Sequence, residues 1–406
     1  MESIKDKVAI VGMGCTAFGE HWDKDAVDLI VEACYEAFED AGVSQKDIQA
    51  AWLGYVNSDI AMTGIILAGA LQLDYIPVTH VENACGTGAE AVRGAAMALA
   101  AKAYDLVIAV GFEKMKDAGF GGIPQAFPGK WHPVYGAAPE IGGGVGRYAL
   151  AATKYFATYG LTPEEGKLML AKVSVKSHEN GARNPKAALR NRITVEQVLN
   201  APIIAWPLGL FDCCGINDGA SAAVMCRTED ARHFRPNGDY ITIKASGIVC
   251  GPGWGKERPD YDFVHWEETE RCAKQVYEMA GIKNPRKELN VIEVHDCFSI
   301  AEVIAVESLG LCPKGGAKKD IDAGAWEQNG EMPVNISGGL KAFGHPAGAS
   351  GGREIYEFYK QFQHKVEEPS RQLKGDIKLG LAHNQGGHPG NFVCGITIVG
   401  EPPAGK

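Results

Sequence analysis

The chain has 406 residues, 46% of them hydrophobic and 22% charged, with no run of eighteen apolar residues; it is long enough for one large core or two fused ones and carries no expected membrane span. Its formal charge of −10 argues against nucleic acid as a partner, so an anionic ligand needs a local basic patch. "MESIKDKVAIVG" runs straight into a strand pattern, no targeting tripeptide closes the chain, and eleven cysteines lack any Cys-x-x-Cys, which together point to reduced thiols in a cytoplasm and to no metal site in this chain.

Residues 7–56 read as strand "KVAIVG", a polar Gly-containing gap, helix "AVDLIVEACYEAFEDAG", a short linker and strand "AAWLGYV". The helix ends in Ala-Gly at Gly42, a signal for a left-handed cap. Next, "VENACGTGAEAVRGAAMALA" (81–100) sets Cys85 between an extended approach and an alanine-rich helix. A thiol on a first helical turn sits beside free N–H groups and the positive end of the dipole, which lowers its pKa. The small neighbours Ala84, Gly86, Thr87 and Gly88 let a substrate approach and offer N–H groups to an oxyanion. A buried structural cysteine explains the segment equally well.

Residues 119–204 break the pattern. "GFGGIPQAFPGKWHPVYGAAPEIGGGVG" is an aromatic, Gly- and Pro-rich loop in which Phe120, Phe127, Trp131 and Tyr135 either line a flat acyl pocket or pack the loop itself. "KLMLAKVSVKSHENGARNPKAALRNR" (167–192) sets Lys167, Lys172, Lys176, Arg183, Lys186, Arg190 and Arg192 against the single acid Glu179. That is either a solvated helix face or a phosphate clamp.

Residues 240–298 repeat the pattern of 7–56, with helix "ETERCAKQVYEMAG" ending at Gly281 and strand "NVIEVHDCF". Polar groups at a strand's C-terminal end are where α/β proteins collect catalysis, and here they are His295, Asp296 and Cys297; a satisfied histidine and an inert thiol are the alternative. "HPAGASGGR" (345–353) aligns with "CGTGAEAVR" (85–93), so His345 stands symmetric to Cys85 ahead of a second helix. Alternating strands and helices predict an α/β fold of two similar halves. Symmetric loops meet near the pseudo-twofold axis of such a fold, and a cysteine beside a histidine base is an activated nucleophile. Last, "GLAHNQGGHPGNFVCGITIVG" (380–400) reads as strand, Gly-rich turn and strand, with His383, Asn384 and His388 near the tip. Its glycines either donate to an acyl oxygen or simply make a hairpin.

"NACGTG", "HDCF", "GGLKAFGHPAGASG" and "HNQGG" stand in the order and spacing of the thiolases, over nearly the whole chain. The chain most resembles the archaeal and sterol-carrier-protein-type branch, whose signature is HDCF; "VKSHENGARNPKA" (175–187) is also typical of it. The resemblance implies a five-layer αβαβα sandwich. Residues 1–118, completed by 205–236, would form one half and 237–406 the other, with 119–204 a loop domain that binds coenzyme A and covers the site. It further implies coenzyme A as substrate, no metal, a homodimer core, and a small zinc-ribbon/OB-fold protein that completes the coenzyme A channel.

The resemblance also assigns roles. Cys85 matches the acylated nucleophile and His345 its base. His345 joins His295, through water, in one oxyanion site, and the N–H groups of Cys85 and of Gly386 or Gly387 form the other. Many thiolases place an acid/base cysteine in a C-terminal Cys-x-Gly motif; here "AHNQGG" takes that place and Cys394 lies inside a strand, so the role passes to Cys297. Lys176, Arg183, Arg190 and Arg192 are the candidate coenzyme A contacts, and His388 would narrow the acyl site. The implied reaction is thiolysis of a β-ketoacyl-CoA, or the reverse Claisen condensation, through acyl-Cys85. A resemblance to benzoylsuccinyl-CoA thiolases points to an aromatic substrate. The other readings are an acetoacetyl-CoA thiolase working in a complex with a hydroxymethylglutaryl-CoA synthase, and a thiolase-like scaffold or aldolase subunit.

Overall fold

A computed structural model describes residues 3–57, 63–118, 143–253, 255 and 258–403. The aromatic residues Phe120, Phe127, Trp131 and Tyr135 lie outside the described residues. Among the described residues eleven strands run in chain order: β1 (Val8–Cys15), β2 (Ala50–Gly54), β3 (Val78–Val81), β4 (Leu106–Lys114), β5 (Ile203–Ala205), β6 (Leu208–Gly209), β7 (Asp218–Arg227), β8 (Ile241–Cys250), β9 (Val291–Val294), β10 (Leu379–His388) and β11 (Asn391–Gly400). The longer helices are α1 (Ala26–Ala41), α2 (Thr87–Ala100), α3 (Gly143–Tyr159), α4 (Pro163–Arg183), α5 (Glu267–Ala280), α6 (Ser299–Ser308) and α7 (Ser350–Phe362).

Local chemistry explains the boundaries. Asp25 caps α1 in a reciprocal box with Asp28, and Gly42 and Gly281 end α1 and α5 at φ 70° and 79°. Leu29, Ile30, Ala33, Cys34, Ala37, Phe38 and Ala41 recur at helical spacing and are buried. Strand β1 is buried at every position, hence its unbroken apolar run.

The large sheet has the order β3-β2-β4-β7-β1-β8-β11-β10-β9. It mirrors itself about the β1–β8 seam: β7 answers β11, β4 answers β10 and β2 answers β9. Two residue pairs, Ala9↔Thr242 and Ile10↔Ile241, form the β1–β8 ladder, and the Asp6 N–H extends the seam by donating to Ile243 O (2.9 Å). Three apolar cores separate the layers. One packs α1 on the outer face of the first half, a second packs α2 and α7 between the halves, and a third packs α3, α5 and α6 outside the second half. The symmetric helices α2 and α7 approach through glycine: a Cβ at Gly88 would stand 2.7 Å from Gly348 O and 2.9 Å from Gly351 N. Their N-termini, and the loops before them, are thereby drawn together.

Candidate active site

Cys85 lies two residues ahead of α2, whose first residue is Thr87 and whose cap is Gly86. The turn that presents it is strained, since Ala84 adopts φ 49°, the left-handed region. Thr87 braces it: the Asn83 N–H donates to Thr87 Oγ1 (2.8 Å), and that hydroxyl donates to Ala84 O (2.5 Å). Strand β10 presses on the same turn. A Cβ at Gly386 would meet Asn83 O at 2.1 Å and Cys85 N at 3.0 Å, so only glycine brings this strand against the thiol's main chain.

His345 precedes α7. Its Nδ1 lies 2.8 Å from Ser350 Oγ, which spends its own proton on Pro346 O (3.0 Å). Nδ1 must therefore be the protonated nitrogen, which leaves Nε2 bare; Nε2 is buried and has no hydrogen-bond partner. Its main chain is held by Asn217, whose side-chain oxygen accepts the His345 N–H at 3.2 Å. His295 follows β9, with its ring 5.0 Å from that of His345 and at 86° to it. Donor atoms of Cys85, His295 and His345 all lie within 4.8 Å of one another. A sulfur and two imidazoles are also a donor set of the kind that holds a soft divalent cation. No Cys-x-x-Cys announced it, because the three residues come from three separate segments.

The electrostatics differ from the expectation at Cys85. Burial, then the charges of Glu113 and Glu82, push the thiol up to about 12, although a main-chain N–H pulls the other way. The helix-start effect is outweighed first by burial, and then because Cys85 stands ahead of the helix and faces carboxylates rather than cations. Burial, helped by Arg353, drives His345 down to about 3, and burial with His345, His383 and Arg353 drives His295 well below its usual range. The site thus pairs a neutral thiol with neutral imidazoles.

Cys297 is buried beside them, with burial and the neighbouring Cys214 and Cys85 pushing its thiol up, while the Tyr148 hydroxyl works in the opposite direction. Cys214 arrives because its N–H donates to Cys297 O (2.9 Å). Under β9 lies a polar platform. The Val294 N–H donates to Asn335 Oδ1 (2.8 Å), Asn335 Nδ2 donates to Glu302 (2.7 Å), and Lys176 donates to Glu302 (2.5 Å) and Val334 O (2.8 Å). The His295 N–H donates to His383 Nδ1 (3.4 Å), whose Nε2 lies 3.2 Å from Thr269.

These contacts correct the basic stretch as a surface clamp. Lys176 is buried and committed to Glu302, and Lys167 is buried against Asp212. Arg183 turns to Gln328 and to Asn180 (2.8 Å). Arg190 and Arg192 are exposed, the latter on Glu179 at 2.6 Å. The helical period of α4 points alternate cations inward, and buried acids wait for them there. The expected Gly-rich turn is likewise a strand: His383, Asn384, Gly386 and Gly387 all lie in β10, paired with β11. His388 alone borders the turn, half-buried, with Nδ1 3.4 Å from Pro389 O.

Glu113, Tyr148, Cys214 and His383 surround the site without having been singled out for roles in it. The strand-end rule that found His295 also covers Glu113, in "GFEKM" at the end of β4. No sequence signal marks Tyr148 or Cys214, which reach the site only through helix packing and a loop contact.

Residues 8–229 match the family described as thiolase, N-terminal domain, and residues 257–396 the thiolase C-terminal domain-like family. An acetyl-CoA acetyltransferase of Methanothermobacter thermautotrophicus is 37% identical over 96% of this chain and 98% of its own. The benzoylsuccinyl-CoA thiolase subunit BbsB of Thauera aromatica is 32% identical over 95% and 96%. Human sterol carrier protein 2 is 29% identical, over 98% of this chain and 73% of its own. Among solved structures, an Ltp2-ChsH2(DUF35) aldolase superposes with TM-score 0.81 at 24% identity over 99% of each chain. The Acat5 thiolase of Ascaris suum in complex with coenzyme A superposes with TM-score 0.66 at 20% identity, over 97% of this chain and all of its own.

Proposed function

The chain belongs to the thiolase family, and on that premise we propose that it cleaves or forms β-ketoacyl-CoA through an acyl-Cys85 intermediate. One observation carries the reading: the thiol of Cys85 and the imidazoles of His345 and His295 converge within 4.8 Å from opposite halves of the fold. His345 Nε2, bare and unpartnered, takes the Cys85 proton as the sulfur attacks the ketone carbon. The alkoxide is held by N–H groups of Cys85 and Gly386, whose main chains touch. Breaking the bond between the α and β carbons releases a thioester enolate, held by the His295 and His345 side, and Cys297 protonates its α-carbon. Coenzyme A then attacks acyl-Cys85 and carries off the acyl group.

The neutral resting pair suits this sequence. Charge is created only when a carbonyl is present to receive it, so the interactions favour the transition state over the empty site. For the coenzyme A phosphates, exposure favours Arg190 and Arg192 over Lys176. On substrate, the relatives divide: 37% identity joins the chain to acetyl-CoA acetyltransferases and 32% to the BbsB subunit. The higher identity favours acetoacetyl-CoA as the first reading, with an aromatic β-ketoacyl-CoA the second. A zinc-ribbon/OB-fold partner is favoured by the aldolase neighbour, which is a pair of Ltp2 with ChsH2(DUF35); Cys85 favours acyl transfer over aldol cleavage here. Incubation with an acyl-CoA, with and without such a partner, followed by mass spectrometry, tests the core claim. An acyl adduct on Cys85 is expected, and its absence under both conditions sinks the proposal.

A further inference from the structure

Glu113 is a buried carboxylate for which the chemistry above has no use. It closes β4 with 1% of its surface exposed. Its two oxygens accept three main-chain N–H groups: Oε1 from Val56 (2.5 Å) and Gly348 (3.3 Å), and Oε2 from Asn57 (3.3 Å). Val56 and Asn57 belong to the chain leaving β2. Gly348 belongs to the loop that carries His345, and it is the residue against which Gly88 of α2 packs. One side chain therefore ties the histidine loop of one half to the strand ends of the other.

Its charge has no counter-ion among the described residues. Facing it are Glu82, ahead of Cys85, Cys85 itself, and Tyr55 at the end of β2; the His345 loop offers only the Gly348 N–H. Burial, together with Glu82, pushes the Glu113 carboxyl up to about 7 against the pull of the three N–H groups. Cys85 feels the result, since Glu113 is the largest charge acting on it.

We propose that Glu113 is a positioning residue for the acyl-transfer step: its carboxylate fastens the His345 loop to the chain leaving β2 and sets a negative charge beside the Cys85 sulfur. The first role fixes the distance between base and nucleophile, and reactions of this kind lose up to about a hundredfold when reacting groups are misplaced by an ångström. The second opposes thiolate in the empty pocket, so the sulfur stays a thiol until substrate displaces water and receives the charge. The proposal rests on the acyl-transfer reading for its effect on turnover, but not for its effect on the thiol.

The test uses the full chain and two readouts, turnover of a β-ketoacyl-CoA and the pH profile of Cys85 alkylation by iodoacetamide, read by mass. Glu113→Gln keeps the shape, removes the charge and turns one acceptor into a donor. It is expected to lower kcat by about ten- to a hundredfold with KM nearly unchanged, and to move the alkylation profile to lower pH. Glu113→Asp keeps the charge and shortens the reach; it should keep the wild-type profile and lose part of kcat. Wild-type kcat in either variant, or a Gln variant with the wild-type alkylation profile, overturns the proposal. If the Gln variant does not fold, the Asp variant decides. A protein that turns over no ketoacyl-CoA still yields the alkylation profiles, so failure of the acyl-transfer reading is told apart from failure of this one.

Discussion

Cys85 and His345 make a nucleophile and base without a preformed ion pair. With the thiol raised to about 12 and the imidazole lowered to about 3, the thiolate fraction near neutrality is small. It grows about tenfold per pH unit until the thiol's own pKa is reached. The alkylation rate of Cys85 should therefore climb steadily through pH 10 with no plateau near 7, and His345→Ala should leave it almost unchanged. A plateau near neutrality that vanishes in the variant would reveal a thiolate–imidazolium pair instead. Turnover tells the other half of the story: His345→Ala is expected to lose roughly 10²–10⁴ in kcat because the proton acceptor is gone. Both residues were legible in the sequence, each in a Gly-rich loop ahead of a helix. The direction of the thiol's shift was not, because it depends first on burial and then on Glu113 and Glu82, all of them set by tertiary folding.

The elements carry the site by close approach. β10 is a strand where a glycine turn was expected, and the reason is pairing: residues from Leu379 to His388 each find a partner on β11. Gly386 then lies flat against the Cys85 turn. Gly386→Ala would put a methyl carbon 2.1 Å from Asn83 O. The strand must retreat, and kcat should fall about 10²–10³ with the loss of an oxyanion donor, measured beside a KM that changes far less. Helix α4 makes a different point. Lys176 looks like a cation for a phosphate, yet it sits inside, opposite Glu302 and under the strand that ends in His295. Lys176→Met leaves that carboxylate unpaired and is expected to cost about 3–5 kcal/mol of stability, read from the denaturant midpoint. Coenzyme A affinity in the surviving folded protein should stay as it was. The sequence offered this basic stretch as a helix face, but a helix has two faces, and which one meets buried acids is settled by its neighbours.

At the scale of the molecule, the two halves are the reason a site exists. Their portions of the one large sheet mirror one another about the β1–β8 seam, and α2 and α7 meet at Gly88 and Gly351 between them. Two surface features bear on what joins the site from outside. Reversing Arg190 and Arg192 to glutamate should raise KM for coenzyme A several-fold, more at low salt than at high, while kcat holds; an unchanged KM would remove them from the phosphate reading. Among the described residues strand β3 ends the sheet with an unpaired edge, partly exposed and four residues from Cys85. That edge fits the homodimer core that the family resemblance implies, and on that reading sedimentation should show a dimer that Thr79→Pro breaks.

The sequence by itself determined the alternation of strand and helix, the internal repeat, the caps at Gly42 and Gly281, and the two loops that hold Cys85 and His345. Those are properties of neighbouring residues, written in hydrophobic period and backbone preference. Tertiary structure alone decided which cations are buried, which glycines lie in strands, and that Glu113, Tyr148 and Cys214 stand beside the thiol. Electrostatics and close packing depend on distances between segments far apart in the chain, and a distance across the fold has no local signature.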